Sequence, residues 1–152
     1  LFKQALPFSS NDEARIIENI KACFLLISGA AGKKLGKKLV DEQEIVMNLA
    51  DILAEGFLAE AAYLRVEKLK TKNLSDPESI KIMENIVKVY LYEALDTLRK
   101  AGNEIIDAYA DGMNKKMMRY LLGLLTKRYN INAKALRREI AEYACAKDGY
   151  PF

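Results

Sequence analysis

Between Asp76 and Ile105 the chain reads DPESIKIMENIVKVYLYEALDTLRKAGNEI, and this stretch decides the fold class. Asp76-Pro77 supplies a helix N-cap followed by proline at the first helical position, where the missing N–H costs nothing. Behind it Ile80, Met83, Val87, Tyr90, Ala94, Leu98, Ala101 and Ile105 recur at spacings of three and four. They form one apolar stripe of a helix and not the alternation of a strand. Such a helix runs from Pro77 to about Ala110, with Gly112 as its natural stop and Gly102 as a point of bending. At 1.5 Å per residue it is roughly 50 Å long.

Working outward, the turn Asn73-Leu74-Ser75 separates this helix from a preceding one that reaches about Lys70. Asp41 with Glu44 reads as the capping box of that preceding helix, with Ile45, Leu49, Ile52, Phe57 and Leu64 on its apolar stripe. Asn48, Asp51 and Glu55 are assigned to its wet face. Ser10 and Glu13 form a second capping box, which starts a first helix after an irregular lead-in over residues 1–9. Its stripe is Ile17, Ile20, Phe24, Ile27, Ala31 and Leu35. Apolar residues surround Cys23 to Gly32 on other faces too, so that segment is expected to be enclosed on several sides, with Gly29, Gly32 and Gly36 admitting a neighbouring backbone. C-terminal to the long helix, a fourth helix spans about Met113 to Lys127, and Asn132 caps a fifth that ends before Gly149. The predicted architecture is all-α: an up-down bundle of three long helices closed by two shorter C-terminal ones, as a single domain over residues 1–152.

Composition removes many chemistries. The 152 residues include no histidine, so Ser-His-Asp and Cys-His nucleophiles, the usual zinc sites and Glu-x-x-His di-iron pairs are excluded. Cys23 and Cys145 are distant in sequence and make no CxxC motif, which fits a reducing, cytoplasmic setting. The apolar run from Cys23 to Gly32 is too short to cross a bilayer, and no signal-peptide pattern leads the chain. The chain opens on Leu1 and not Met, which is read as excision from a longer polypeptide.

Helical carboxylates at three- and four-residue spacing, Asp51 with Glu55, Glu93 with Asp96 and Glu104 with Asp107, could converge on a cation. Without histidine, ordinary solvated acid is the favoured reading. Gly29-Ala30-Ala31-Gly32 lacks a preceding strand and matches no phosphate-loop pattern. Lys33, Lys34, Lys37 and Lys38 suit a helix C-terminus, where the dipole favours cations. The fourth helix mixes Met117, Met118, Leu121, Leu122, Leu124 and Leu125 with flanking lysine and arginine. That pattern fits a core helix with charged ends; contact with a membrane surface is not favoured. Eight scattered tyrosines form no stacking platform, so nucleic acid is not expected as a partner. No catalytic, cofactor-binding or metal-ligating residue is assigned in this segment.

Net charge is only +3, but it is unevenly placed. No Lys or Arg occurs from Leu39 to Leu64, and no Asp or Glu from Gly112 to Arg138. The two segments are expected to face each other, within one bundle or across two subunits.

Three stretches together, NLADILAEGFLAEAAYLR from Asn48, IVKVYLYEA from Ile86, and ALRREIA from Ala135 with the aromatic end Tyr150-Pro-Phe152, resemble the C-terminal helical extension of acyl-CoA dehydrogenases of the very-long-chain type, especially bacterial relatives. The resemblance covers the chain from about Arg15 onward. It implies a parent FAD enzyme that removes two hydrogens across the alpha and beta carbons of a fatty acyl thioester to give the 2-enoyl product. The carboxylate base and the flavin site then belong to the preceding dehydrogenase core and not to this segment. It further implies a domain that packs against that core and takes part in a homodimer or other homo-oligomer. The alternatives are a free-standing helical protein-interaction module and, more weakly, a metal-dependent carboxylate enzyme.

Overall fold

The structure is a computed structural model that describes residues 12–127 and 129–147. Five helices follow one another: α1 (Asp12–Leu35), α2 (Gln43–Lys72), α3 (Pro77–Tyr109), α4 (Gly112–Leu125) and α5 (Ala133–Ala146), with a 3-10 turn, Gly36–Asp41, between α1 and α2. Among the described residues there is no strand. The expected lead-in over 1–9, the Ser10 half of the Ser10–Glu13 capping box, Arg128, Gly149 and the Tyr150–Phe152 end lie outside the described residues.

The strongest local signal acts as expected. Asp76 Oδ1 accepts the Ser79 backbone N–H at 2.9 Å, with Pro77 in the first turn. Asn132 Oδ1 likewise accepts the Ala135 N–H at 3.2 Å and starts α5. Asn73, in the left-handed conformation at φ 50°, ends α2.

Helices α1, α2 and α3 run up, down and up. Lys21 on α1 meets Glu60 on α2, while α2 pairs with α3 through Asn48–Glu104, Tyr90–Glu55 and Lys70–Glu84, contacts whose order is antiparallel. Ile17, Ile20, Ile27 and Ala31 from α1, Ile45, Leu49 and Ile52 from α2, and Leu91, Leu98, Ile105 and Ile106 from α3 are buried together. Each large aliphatic side chain taken from water contributes about 1.5–3 kcal/mol, which is what holds three helices with modest intrinsic propensity in one bundle. Helix α4 lies against α1 and α3, burying Met118 and Leu122, and α5 lies along α3.

Several sequence expectations are corrected. Asp41 ends the 3-10 turn instead of capping α2; Glu42 stands at the cap and makes no side-chain cap bond. Gly112 does not terminate α3. Ala110, extended and 3% exposed, already ends that helix with its N–H bonded to the Ile106 carbonyl, and Gly112 at φ 53° opens α4. The buried stripe of α2 is Ile45, Leu49, Ile52, Gly56, Ala59 and Val66, whereas Phe57 and Leu64 are exposed. Asn48 and Glu55 are half-buried against α3 and not on a wet face.

The close-packing glycines are also different ones. A Cβ added to Gly29, Gly32 or Gly36 would meet nothing within 4 Å, and the Leu25–Gly29 side of α1 is exposed, so α1 is enclosed by α2, α3 and α4 but open on that side. Close approach occurs instead at Gly56, facing Ile20, and at Gly102, facing Ile27 and Leu122. These are small residues inside apolar stripes, where a neighbour already presses.

Candidate docking surface

Of the acidic pairs singled out in the sequence, Glu55, Glu93, Glu104 and Asp107 make contacts between helices. Glu93 accepts from Arg137 of α5 at 2.6 Å, Asp96 lies 4.0 Å from Arg99, and Glu104 accepts from Asn48 at 3.2 Å. Asp107 accepts from Arg119 at 2.7 Å and pairs with Lys115 at 3.0 Å; the Lys115 bond, then Arg119, hold its carboxyl below the usual aspartate range. Glu55 accepts the Tyr90 hydroxyl at 2.6 Å, and burial first, then that carboxylate, push the Tyr90 phenol up. Asp51 is exposed. No set of three His, Cys, Asp or Glu gathers among the described residues in a way that could hold a metal.

The remaining polar side chains attach the two short helices. Ser79 shares a 2.6 Å hydrogen bond with Tyr143 of α5 and donates to Asp76 at 2.6 Å, so the N-cap of α3 and the docking of α5 share one hydroxyl. Arg99 donates to the hydroxyl and the carbonyl of buried Thr126, placing a cation at the C-terminus of α4. The Tyr129 hydroxyl donates to Glu13 at the start of α1. Cys23 is buried and its thiol is pushed up to about 12 by desolvation, so it is not a thiolate nucleophile.

Two concavities are found among the described residues. A cleft among the start of α1, α2 and α3 holds about 100 Å³ and is lined by Glu13, Glu67 and Glu84, whose charge opposes a pyrophosphate, against a single lining cation, Lys88, among the described residues. Ligand pockets usually offer about 300–1,000 Å³. A shallow groove along α5 between Asn132 and Glu142 draws its walls from that single helix.

What the surface offers is apolar helix. The outer face of α2 exposes Val46 (44%), Leu53 (54%), Phe57 (70%) and Leu64 (55%) in line, with Met47 and Leu58 beside them. On α4, Met113 (78%), Met117 (53%), Tyr120 (67%) and Leu124 (54%) are exposed in line. Large exposed apolar patches mark interaction surfaces. Lys33, Lys34, Lys37 and Lys38 are all exposed at the end of α1 and in the turn after it. No helix among the described residues is long and apolar enough to cross a membrane.

Comparison with known proteins gives the family. The family model described as the acyl-CoA dehydrogenase C-terminal domain matches residues 19–127. The chain belongs to this family. A curated relative, a probable acyl-CoA dehydrogenase of Bacillus subtilis (strain 168), is 30% identical over 129 residues, which cover 85% of this chain and 21% of that protein. The crystal structure of an acyl-CoA dehydrogenase complexed with FAD from Bacillus anthracis superposes with a TM-score of 0.83 at 30% identity, over 92% of this chain and 24% of that one. The chain thus spans about a fifth to a quarter of the proteins it matches. The described residues of this acyl-CoA dehydrogenase C-terminal domain are helical, without a strand.

The exposed rows on α2 and α4 were not read from the sequence. Their signal was present: the many apolar residues between Val46 and Leu64 could not all fit on one stripe, and the surplus had to face outward.

Proposed function

We propose that this chain is the structural and assembly domain of a longer FAD-dependent acyl-CoA dehydrogenase. It packs against the dehydrogenase core of the same polypeptide and supports a homo-oligomer in the cytoplasm. The parent enzyme removes two hydrogens across the alpha and beta carbons of a fatty acyl thioester and passes hydride to its flavin; the base and flavin pocket belong to the core. The observation that carries this reading is the match of residues 19–127 to the family's C-terminal domain, together with a likeness covering 24% of a FAD-complexed enzyme. The free thiols of Cys23 and Cys145 agree with a reducing compartment.

The test compares this chain with the product of the complete reading frame that contains it. The complete product is expected to carry about one flavin per chain and to reduce a dye with acyl-CoA, and the chain alone is expected to do neither. A reading frame without a dehydrogenase core, or stoichiometric flavin on the chain alone, would overturn the proposal.

A further inference from the structure

The basic segment running from α4 into α5 does not meet acidic α2 inside this molecule. Helix α2 contacts α1, α3 and the 3-10 turn, and among the described residues neither α4 nor α5. The cations instead reach acids of α3: Lys115 and Arg119 bind Asp107, and Arg137 binds Glu93. The expected apposition within one bundle is therefore corrected. Helix α5 stands apart from the rest: α3 is the one element it touches among the described residues, whereas α4 also lies on α1.

The face of α3 that receives α5 is not the face that builds the core. Ser79 and Glu93 both bond α5, and Ile82, Ile86 and Val89 lie between them at spacings of three and four. At 100° per residue this row centres about 135° around α3 from Val87, Leu91, Leu98 and Ile105. Ile82 is buried yet stands outside the core cluster, and the same holds for Ala133 and Tyr143 of α5. Leu136 and Ile140, which complete the α5 stripe, are half-buried. A second, smaller cluster thus joins α5 to the outside of α3.

Polar groups close much of this seam. Tyr143 bonds Ser79 at 2.6 Å, Asn85 donates to Glu139 at 3.0 Å, Lys81 pairs with Glu139 at 3.4 Å and Arg137 with Glu93 at 2.6 Å. The side chains of the two ion pairs are 43–68% exposed, and pairs so exposed hold weakly and are screened by salt. Opening the seam leaves both ends of α5 provided for. Asp76 keeps the N–H and the hydroxyl of Ser79, so the N-cap of α3 does not need α5. Lys147, 5.2 Å above the Tyr143 ring, travels with that ring. Tyr129 packs on the core and bonds Glu13 of α1, which anchors the chain just before α5.

We infer that α5 is a salt-sensitive latch: it swings off α3 as a unit about residues 130–132 while α1 to α4 stay packed. Parting α1, α2 and α3 would bring Ile20, Ile27, Ile52, Leu91, Leu98 and Ile105 into water, each at most 1% exposed, whereas parting α5 releases Ile82, Ala133 and Tyr143 and a few wet pairs. The smaller seam opens first. The open state bares the Ser79–Glu93 face of α3 and the Ala133–Tyr143 stripe of α5 together. Such a latch does not depend on the assembly role proposed above, since it opens and closes in a monomer as in an oligomer.

The experiment is hydrogen exchange of the complete polypeptide, read by mass spectrometry on overlapping peptides from α5 and from the core stretch of α3. The hydrogen-bonded amides 137–146 of α5 are expected to share one opening constant, at least about ten-fold above that of α3. Raising salt from about 0.05 M to about 0.5 M should speed α5 by about two- to five-fold and leave α3 unchanged. Arg137→Gln combined with Glu139→Gln should speed α5 to the same extent at low salt, and added salt should then change little. Unaltered exchange in α3 shows that the variant is folded, and the wild-type salt series stands if it is not. Exchange in α5 that is graded from residue 146 inward, with no shared constant, overturns the inference because it marks fraying. So does α5 exchange that salt leaves unchanged, or that runs at the rate of α3, whether α5 opens only with the bundle or another part of the polypeptide covers it; the proposed function would stand in each case.

Discussion

The methyls of Leu122 on α4 occupy the space a side chain at Gly102 on α3 would need: a Cβ there would lie 2.9 Å from Leu122 Cδ1 and 3.0 Å from Ile27 Cδ1. Leu122 and Ile27 are 1% and 0% exposed, so neither can swing outward. Gly102→Ala is expected to lower stability by about 1 kcal/mol. Overpacking of about 1–3 kcal/mol exceeds the roughly 1 kcal/mol gained in helix propensity. Gly29→Ala, in the middle of α1 with open space at its Cβ, should raise stability by about 0.5–1 kcal/mol. Urea unfolding of the two variants checks the opposite signs.

Helix α5 is held to α3 by the buried Tyr143, which bonds Ser79, and by the Asn85–Glu139, Lys81–Glu139 and Arg137–Glu93 pairs. Tyr143→Phe keeps the ring and removes the bond to Ser79. A loss of about 1 kcal/mol is expected, with hydrogen exchange accelerated in α5 before the other helices. Uniform acceleration throughout the bundle would show that α5 is not a separate unit.

Two aspartates set the acid limit. Asp76 is held low by the Ser79 hydroxyl and then its N–H, and Asp107 by Lys115 and then Arg119. A carboxyl lowered in the folded state contributes stability that is complete above its ordinary value, 3.8, and is lost as pH falls through the lower folded value. Asp76→Asn and Asp107→Asn should therefore each flatten the loss of stability below pH 3.8, measured by urea midpoints across a pH series.

The alkaline limit has the reverse sign. Burial, then the facing carboxylates Glu55 and Glu13, raise the Tyr90 and Tyr129 phenols above the ordinary 10.0. That contribution is complete below about pH 10 and is lost as pH rises through the folded values. Ultraviolet absorbance of the phenolate should show these tyrosines ionising together with unfolding, and Tyr90→Phe should remove part of that late step.

The sequence carried the helices but not the second layer of the arrangement. Asp76-Pro77, Asn132 and the stripe from Val87 to Ile105 are local signals, and the structure realises them as written. Phe57 and Leu64 were misplaced because α2 has apolar residues on two faces, and periodicity alone does not say which one meets α1 and α3. Gly56 settles it, since only the face with the small residue lets Ile20 approach. Hydroxyl bonds such as Tyr90–Glu55 and Tyr129–Glu13 join residues 35 and 116 positions apart, and such partners have no local spacing to betray them. Of the candidate sites, the spacing of the carboxylates was legible, but not that Glu55 would meet Tyr90 or Glu93 meet Arg137; the exposed apolar faces emerged only when the helices were packed.

Under the proposed function this bundle supplies assembly surface, and the exposed outer face of α2 is part of it. The most direct measurement is multi-angle light scattering of the complete polypeptide carrying Leu53→Ser and Phe57→Ser, with flavin absorbance recorded across the same peak. The prediction is a smaller assembly that still carries its flavin. An unchanged mass with the flavin lost would contradict it and place α2 beside the reacting centre.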